Sequence, residues 1–472
     1  MSSIAASILA IVSLCALLTC SALAETPGGA MNDYVRVSKR NPKYLELSSG
    51  KSFVPIGLNM ITPPWDAPTD EGRIKAMDVW LTSLASNGGN YIRLWLSNDF
   101  FDVEHEKSGV FDEKKEKLIE QVLELCRKHS IRAKLTLEHF RSIGGGNQPW
   151  ADKPLHNVAN GGTAVSMTDW LANEPSREDY RNKIKWFAQK IGSRPEIYGW
   201  ELWNEVNAVK DGDYMSWTAA MLPELHKAFP KNMAMQSLGS FDGDYARADY
   251  RKHSLMAAND IAQVHRYLDL GARFEVCHGP VDVLAADAVR ELLAFNPGKP
   301  VIMAESGAVE PNHAGPFKLY EKDTSGTLLH DVLFAPFFAG AAGGGQIWHW
   351  DSYVAKNNLW WQYGRFAEAI KGFDPIVESP VPSMVDHPRL RIYRLTGKHT
   401  TLLWLRDKQN NWMTELRDGQ APETLHGLTM EVSGKTVRAY DPWKNQWTTL
   451  PASQGKITLP DFSRSLVLQV KN

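Results

Sequence analysis

Between about residues 45 and 375, short apolar runs alternate with amphipathic stretches eight times over, and this periodicity constrains the chain more than any other feature. The runs are Phe53-Val-Pro-Ile-Gly-Leu-Asn59, Asn90-Tyr-Ile-Arg-Leu-Trp-Leu96, Ile131-Arg-Ala-Lys-Leu-Thr-Leu-Glu-His139 and Ile197-Tyr-Gly-Trp-Glu-Leu-Trp203. They continue with Met233-Ala-Met-Gln-Ser237, Ile261-Ala-Gln-Val-His265, Pro300-Val-Ile-Met-Ala304 and Gly345-Gln-Ile-Trp-His-Trp350. Short, mostly apolar runs suit strands covered on both faces of a parallel sheet. The stretches between them have helical spacing. Leu118, Val122 and Leu125 recur at i, i+4 and i+7, and Ile184, Phe187, Ala188 and Ile191 follow a capping-box-like Ser176-Arg-Glu-Asp179. Eight such pairs over this length predict a closed (β/α)8 TIM barrel. The rival is an open doubly wound sheet, but no Gly-x-Gly-x-x-Gly opens a helix after a strand, which argues against a dinucleotide fold.

Near Asp374-Pro-Ile-Val-Glu-Ser-Pro-Val-Pro382 the helical periodicity stops. The runs at 391–394, 401–404, 437–440 and 465–470 that follow predict a small C-terminal β-sandwich over residues 383–472, with residues 25–382 forming the barrel. This second unit carries no catalytic constellation, so packing against the barrel is its expected role, and polysaccharide binding is the alternative. The stretch from Phe140 to Pro175 is rich in Gly and Pro, carries Trp150 and Trp170, and follows the third strand. It is therefore expected at the C-terminal face, where barrels place their active sites.

Residues 1–24 read as a signal peptide: Ile4 to Leu23 is uncharged, and Ala22-Leu23-Ala24 is a small-x-small cleavage signal. Secretion or periplasmic location is the expectation, with an uncleaved anchor helix or a lipid anchor at Cys20 as alternatives. Cleavage removes Cys15 and Cys20. Cys126 and Cys277 remain, placed too far apart around the ring for a disulfide. No other segment is long and apolar enough to span a membrane. The net charge is −2 and no stretch concentrates Lys or Arg, so a nucleic-acid partner is not expected. The 17 Trp lean toward a carbohydrate partner, since Trp faces stack on sugar rings, although Trp also fills cores.

The fourth run ends in Trp203-Asn204-Glu205 and the seventh in Ala304-Glu305-Ser306-Gly307. Strands four and seven face each other across a barrel mouth, so the two carboxylates are expected to share one cleft. Two carboxyl groups roughly 5–5.5 Å apart, one protonated and one ionised, are what cleavage of a glycosidic bond with retention requires. No His-Glu-x-x-His, no CxxC and no Gly-x-Ser-x-Gly occurs, so neither a metal, another cofactor nor a serine nucleophile is expected.

With these motifs the chain resembles the clan A glycoside hydrolases, particularly the cellulase-like family 5, across roughly residues 45–375. The resemblance implies Glu205 as acid/base, Glu305 as nucleophile, and Asn204 bonding the sugar 2-hydroxyl. It implies that Arg93 orients the nucleophile and keeps it ionised. It also implies that His139, His265 and Tyr267 line the subsite of the sugar being cleaved, and that Trp350 is the platform beneath that sugar, with Trp348 the competing choice. The Ser-Gly-Ala after Glu305 departs from the commonest family 5 form. The implied activity is retaining hydrolysis of β-linked, glucan- or mannan-like sugars. A catalytically silent sugar-binding barrel and a barrel lyase or isomerase stand as alternatives, but a silent copy would be expected to have lost a glutamate.

Overall fold

The structure is a computed structural model that describes residues 31–139, 155–208, 212–451 and 455–471. The predicted leader with Cys15 and Cys20, and Trp150, lie outside the described residues.

The chain folds as a TIM barrel. β1 (Gly57–Leu58), β2 (Tyr91–Trp95), β3 (Arg132–His139), β4 (Ile197–Asn204) and β5 (Met233–Met235) form one parallel sheet, and β6 (Ala262–His265) and β7 (Val301–Glu305) form another. Between β5 and β6 the ladder thins. Asp260 stands in for it, donating its N–H to the Ala234 carbonyl at 3.0 Å and accepting the Ala234 N–H on its carboxylate at 2.8 Å. The eighth position is reduced to Ile347, whose backbone bridges Ser306 on one side and Leu58 on the other and so closes the ring.

Two departures from the predicted strands have plain causes. Pro55 lacks an N–H and splits the first run, so Ser52–Phe53 joins an antiparallel three-stranded sheet with Val35–Val37 and Leu45–Leu47. Val35, Leu45 and Phe53 of that sheet pack on Tyr91, Tyr198, Ile261 and Ile302 at the starts of barrel strands, closing the end of the barrel away from the strand C-termini. At the eighth run, Gly345 lies against the helix Thr327–Phe338 so closely that a Cβ would meet the Val332 carbonyl at 2.2 Å.

The helices between strands cover the barrel as their periodicity predicts, with two shifts. In Glu113–Lys128 the buried stripe is Ile119, Val122, Leu123 and Cys126, one position round from the predicted Leu118 and Leu125. The helix predicted to start at Ser176 starts earlier, spanning Glu174–Lys190. Asn173 is its cap and accepts the Ser176 N–H at 2.7 Å, and Pro175 sits in its first turn, where a missing N–H costs nothing. Trp170 is core rather than cleft, packed among Trp203, Trp217 and Tyr180. Cys126 and Cys277 are both free and buried.

The C-terminal unit is an antiparallel sheet of six strands in the order 381–385, 390–396, 400–407, 465–471, 436–441, 446–450. Its first strand begins two residues before the predicted boundary at 383. Both faces are buried, with a period of two. Leu403, Leu405, Leu466 and Leu468 face the short strand pairs at 424–425/462–463 and 429–431/456–458, which supply Leu425, Phe462, Met430 and Ile457. Leu402, Trp404 and Val467 face the barrel and share its core. Among the described residues no helix is long and apolar enough to cross a membrane.

Candidate active site

Strand register assembles the site. His139 and Asn204 are partners at the C-terminal ends of β3 and β4, and His265 and Glu305 at those of β6 and β7. Glu205 follows β4 with its backbone in the left-handed region (φ 51°), where a non-glycine residue is strained, and the Ser237 hydroxyl after β5 meets its N–H at 3.2 Å. The side chains of Glu205, His265 and Glu305 converge. One carboxylate oxygen of each glutamate and one nitrogen of His265 lie within 4.8 Å of one another. That spacing falls on the retaining side of the division between roughly 5–5.5 Å and 6.5–9.5 Å.

The two carboxylates have unequal partners. Arg93, fully buried on β2, donates to Glu305 Oε1, and Tyr267 donates to Glu305 Oε2 at 2.7 Å. Glu205 instead faces His265 Nδ1 at 2.7 Å, and that same nitrogen is 3.4 Å from Glu305 Oε2. Burial, and then the negative Glu305 beside it, push the Glu205 pKa well above the carboxylate range. Burial also raises Glu305, but Arg93, the Tyr267 hydroxyl and Lys134 oppose it. The pair therefore favours sharing one proton, and the unequal partners place it on Glu205. Burial and the nearby Arg93 and Lys134 keep His265 far below its usual pKa, so its ring is neutral. A strong cation already occupies Glu305, so the trio is built for proton sharing rather than as a cation cage.

The remaining predicted residues fall around this centre. Asn204 accepts from Arg93 Nη2 at 2.6 Å, so its amide nitrogen is what it can offer a sugar hydroxyl. His139 is hydrogen-bonded to Ser97 and stacked on Trp95 with ring centroids 4.7 Å apart. The structure separates the two tryptophans at the eighth position. Trp348 is half-buried and tilts onto Trp95 at 5.0 Å, on the same side of the barrel mouth as His139. Trp350, predicted as the platform, is 5% exposed and starts the short helical turn Trp350–Ala355, edge-on behind Trp348. Pairing through Ile347 alone lets the chain leave the barrel wall there, and Trp350 turns into the packing.

Sequence reasoning missed the layer beneath. Glu201, fully buried on β4, accepts from Arg93 Nε at 3.0 Å and from the Thr136 hydroxyl at 2.7 Å, and Lys134 and Gln263 also reach it. A signal for this was present. A carboxylate and a lysine inside strands buried on both faces must be paired, and Glu201 and Lys134 are both such residues. Trp95 and Ser97, which hold His139, are a second set that was not singled out.

Comparison with known proteins places this architecture. No family model matches the chain. Over 93% of each chain it superposes on a glycoside hydrolase family 5 structure from Bacteroides vulgatus, with a TM-score of 0.55 and 15% identity. The likeness is one of fold: a (β/α)8 barrel followed by an antiparallel sheet. A second family 5 structure, GH5_18 from Streptomyces cattleya in complex with GlcNAc, matches over 68% of this chain and 82% of its own, at TM-score 0.51 and 14% identity. The match to the Bacteroides family 5 structure extends through the C-terminal sheet, since it spans nearly the whole chain. In sequence, the chain is 23% identical over 337 residues to a rice protein (Oryza sativa subsp. japonica) provisionally named mannan endo-1,4-beta-mannosidase 5, covering 64% of this chain and 67% of that one.

Proposed function

We propose that the protein is a retaining glycoside hydrolase that cleaves β-linked glycans by double displacement. The observation that carries this reading is the pair of carboxylates within 4.8 Å of each other, only one of which is held by Arg93 and Tyr267. Two glutamates that share one proton and differ in partners can divide the roles of acid and nucleophile. Glu305, ionised beside Arg93, attacks the anomeric carbon while Glu205 gives its proton to the glycosidic oxygen, and the leaving sugar departs as an alcohol. Glu205, now a carboxylate, takes a proton from water. That water attacks the anomeric carbon from the opposite face, the bond to Glu305 breaks, and the configuration is retained. Arg93 and Tyr267 stay bonded to Glu305 and stabilise it as the leaving group in this second step.

The substrate class we propose is a β-1,4-linked mannan or glucan. The name of the rice relative favours mannan. Tight pairing of both glutamates speaks against a silent sugar-binding barrel, which would need neither the raised Glu205 nor the braced Glu305. On the leader at residues 1–24 alone, we propose that the protein is exported.

The test is the purified protein against aryl β-mannosides, aryl β-glucosides, β-mannan and β-glucan, with proton NMR of the first-formed product. The β anomer is expected first. An α anomer first would sink the retaining assignment, and no turnover on any of the panel would sink the hydrolase reading.

A further inference from the structure

The barrel buries a second cation that the catalytic pair and Arg93 do not account for. Lys134 lies on β3 in register with Arg93 on β2, and its side chain is 1% exposed. Its ammonium donates to Gln263 Oε1 at 2.6 Å and stands 3.4 Å from Glu201 Oε1. Glu201 Oε2 in turn takes Arg93 and Thr136, and Arg93 Nη1 goes on to Glu305. A continuous line therefore runs Lys134–Glu201–Arg93–Glu305 through the centre of the barrel.

The charges along this line balance only if Lys134 is protonated. Arg93 and Lys134 are two cations, and Glu201 and ionised Glu305 are two anions. His265 is neutral and Glu205 holds its proton. Without the lysine's charge, Arg93 alone must answer two buried carboxylates, and an unbalanced charge out of water is heavily penalised. The groups facing Lys134 are Arg93 from β2, Glu201 from β4, Gln263 from β6 and, beyond Arg93, Glu305 from β7.

We propose that Lys134 is a positioning residue for the nucleophile: by balancing Glu201 it leaves the charge of Arg93 to hold Glu305 ionised. If the lysine's charge is removed, the compensating proton goes to Glu305 rather than Glu201. With the lysine's charge gone, Glu201 still accepts from Arg93 through both Nε and Nη2, from the Thr136 hydroxyl and from Gln263, whereas burial already holds Glu305 above the usual carboxylate range. Burial and the neighbouring Arg93 also bring Lys134 itself down to about 7, so the balance is lost within a range where enzymes work.

The proposal rests on the hydrolase reading only for its kinetic readout, so the decisive measurement does not need turnover. Carboxyl-carbon NMR of protein carrying 13C-labelled glutamate follows Glu305, whose signal is the one missing from Glu305→Gln. In Lys134→Met and Lys134→Gln the Glu305 midpoint is expected to rise by about one pH unit or more, a tenfold gain in proton affinity. The acid limb of kcat/KM should move with it. A Glu305 titration unmoved in the folded variants overturns the proposal. A reciprocal measurement needs no change at Lys134. By linkage, Glu305→Gln removes the anion, so the Lys134 ε-carbon should titrate lower than in the wild type, and an unchanged Lys134 midpoint also overturns the proposal. If the wild type cleaves no glycoside, the hydrolase reading falls while both titrations still decide the role of Lys134.

Discussion

Two glutamates of identical chemistry differ here only in what touches them, and the pH profile should report that difference. In the proposed mechanism Glu305 works ionised, so activity should fall as pH drops through its pKa. Glu205 in that mechanism works protonated, and its pKa is raised by burial and by Glu305, so activity should fall as pH climbs through that higher value. The rate of kcat/KM against pH should be a bell whose alkaline limb belongs to Glu205. In Glu205→Gln that limb should vanish, with kcat lowered by about 10²–10⁴ on substrates whose leaving group needs the proton. An alkaline limb that survives this change, and survives it also with Lys134→Met, would reassign the acid. Azide separates the roles a second way. In Glu305→Ala, azide takes the place of the nucleophile and should yield the α-glycosyl azide. In Glu205→Ala the glycosyl-enzyme still forms, azide opens it from the other face, and the β product is expected. Chromatography and NMR of the azide products check both, and exchanged anomers would exchange the roles.

At the scale of elements, strands four and seven were legible because apolar runs ending in Asn204-Glu205 and in Glu305-Ser306 have few other readings in a barrel. The register then placed His139 beside Asn204 and His265 beside Glu305, which no spacing along the chain could have shown. The eighth run was read as a full strand to Trp350 because its residues have strand character. The break comes from outside the run: Gly345 is pressed onto the helix Thr327–Phe338, and one bridge from Ile347 to each neighbour, Leu58 and Ser306, does the work of a ladder. The buried stripe of Glu113–Lys128 shifted for a similar reason, since the barrel surface decides which of several apolar faces is covered. The two tryptophans should therefore respond differently. Trp348→Ala should lower kcat/KM about tenfold with little effect on Tm, as the loss of an aromatic platform. Trp350→Ala should cost about 3–5 kcal/mol of stability by opening a cavity, with kcat/KM of the folded fraction nearly kept. Paired steady-state kinetics and thermal melts check this, and the reverse pattern would restore Trp350 as the platform.

Over the whole molecule, the C-terminal sheet is bound into the barrel rather than tethered to it. Composition could reveal that residues beyond 382 form strands, but not that their second face would be buried, because that depends on charges from two distant parts of the chain meeting. Arg406, fully buried in the sheet, donates to both oxygens of Asp331 in the barrel helix Thr327–Phe338. Arg391 likewise takes Asp282, which also accepts from Tyr393 at 2.8 Å. Trp404 lies between Tyr393 and Phe334, and Ser465 meets His330 Nε2 at 2.8 Å. Removing one partner of such a pair strands the other, so Arg406→Met should destabilise the whole protein by about 3–5 kcal/mol, while replacing both partners with apolar residues, as in Arg406→Met with Asp331→Leu, should recover most of that. The sign of the pH effect follows from Asp331, which burial pushes up to about 6 even with Arg406 against it. A carboxyl whose folded pKa exceeds its unfolded value binds more protons when folded, so its contribution to stability declines as pH rises between the two values. Without Arg406 that folded value goes higher still. The deficit of Arg406→Met against wild type should therefore be smaller near about pH 5 than near about pH 8. Urea unfolding at both pH values, followed by fluorescence and by residual activity, measures it. If the two probes separate, or if Arg406→Met unfolds no earlier than wild type, the sheet is a detachable appendage and not part of the barrel's fold.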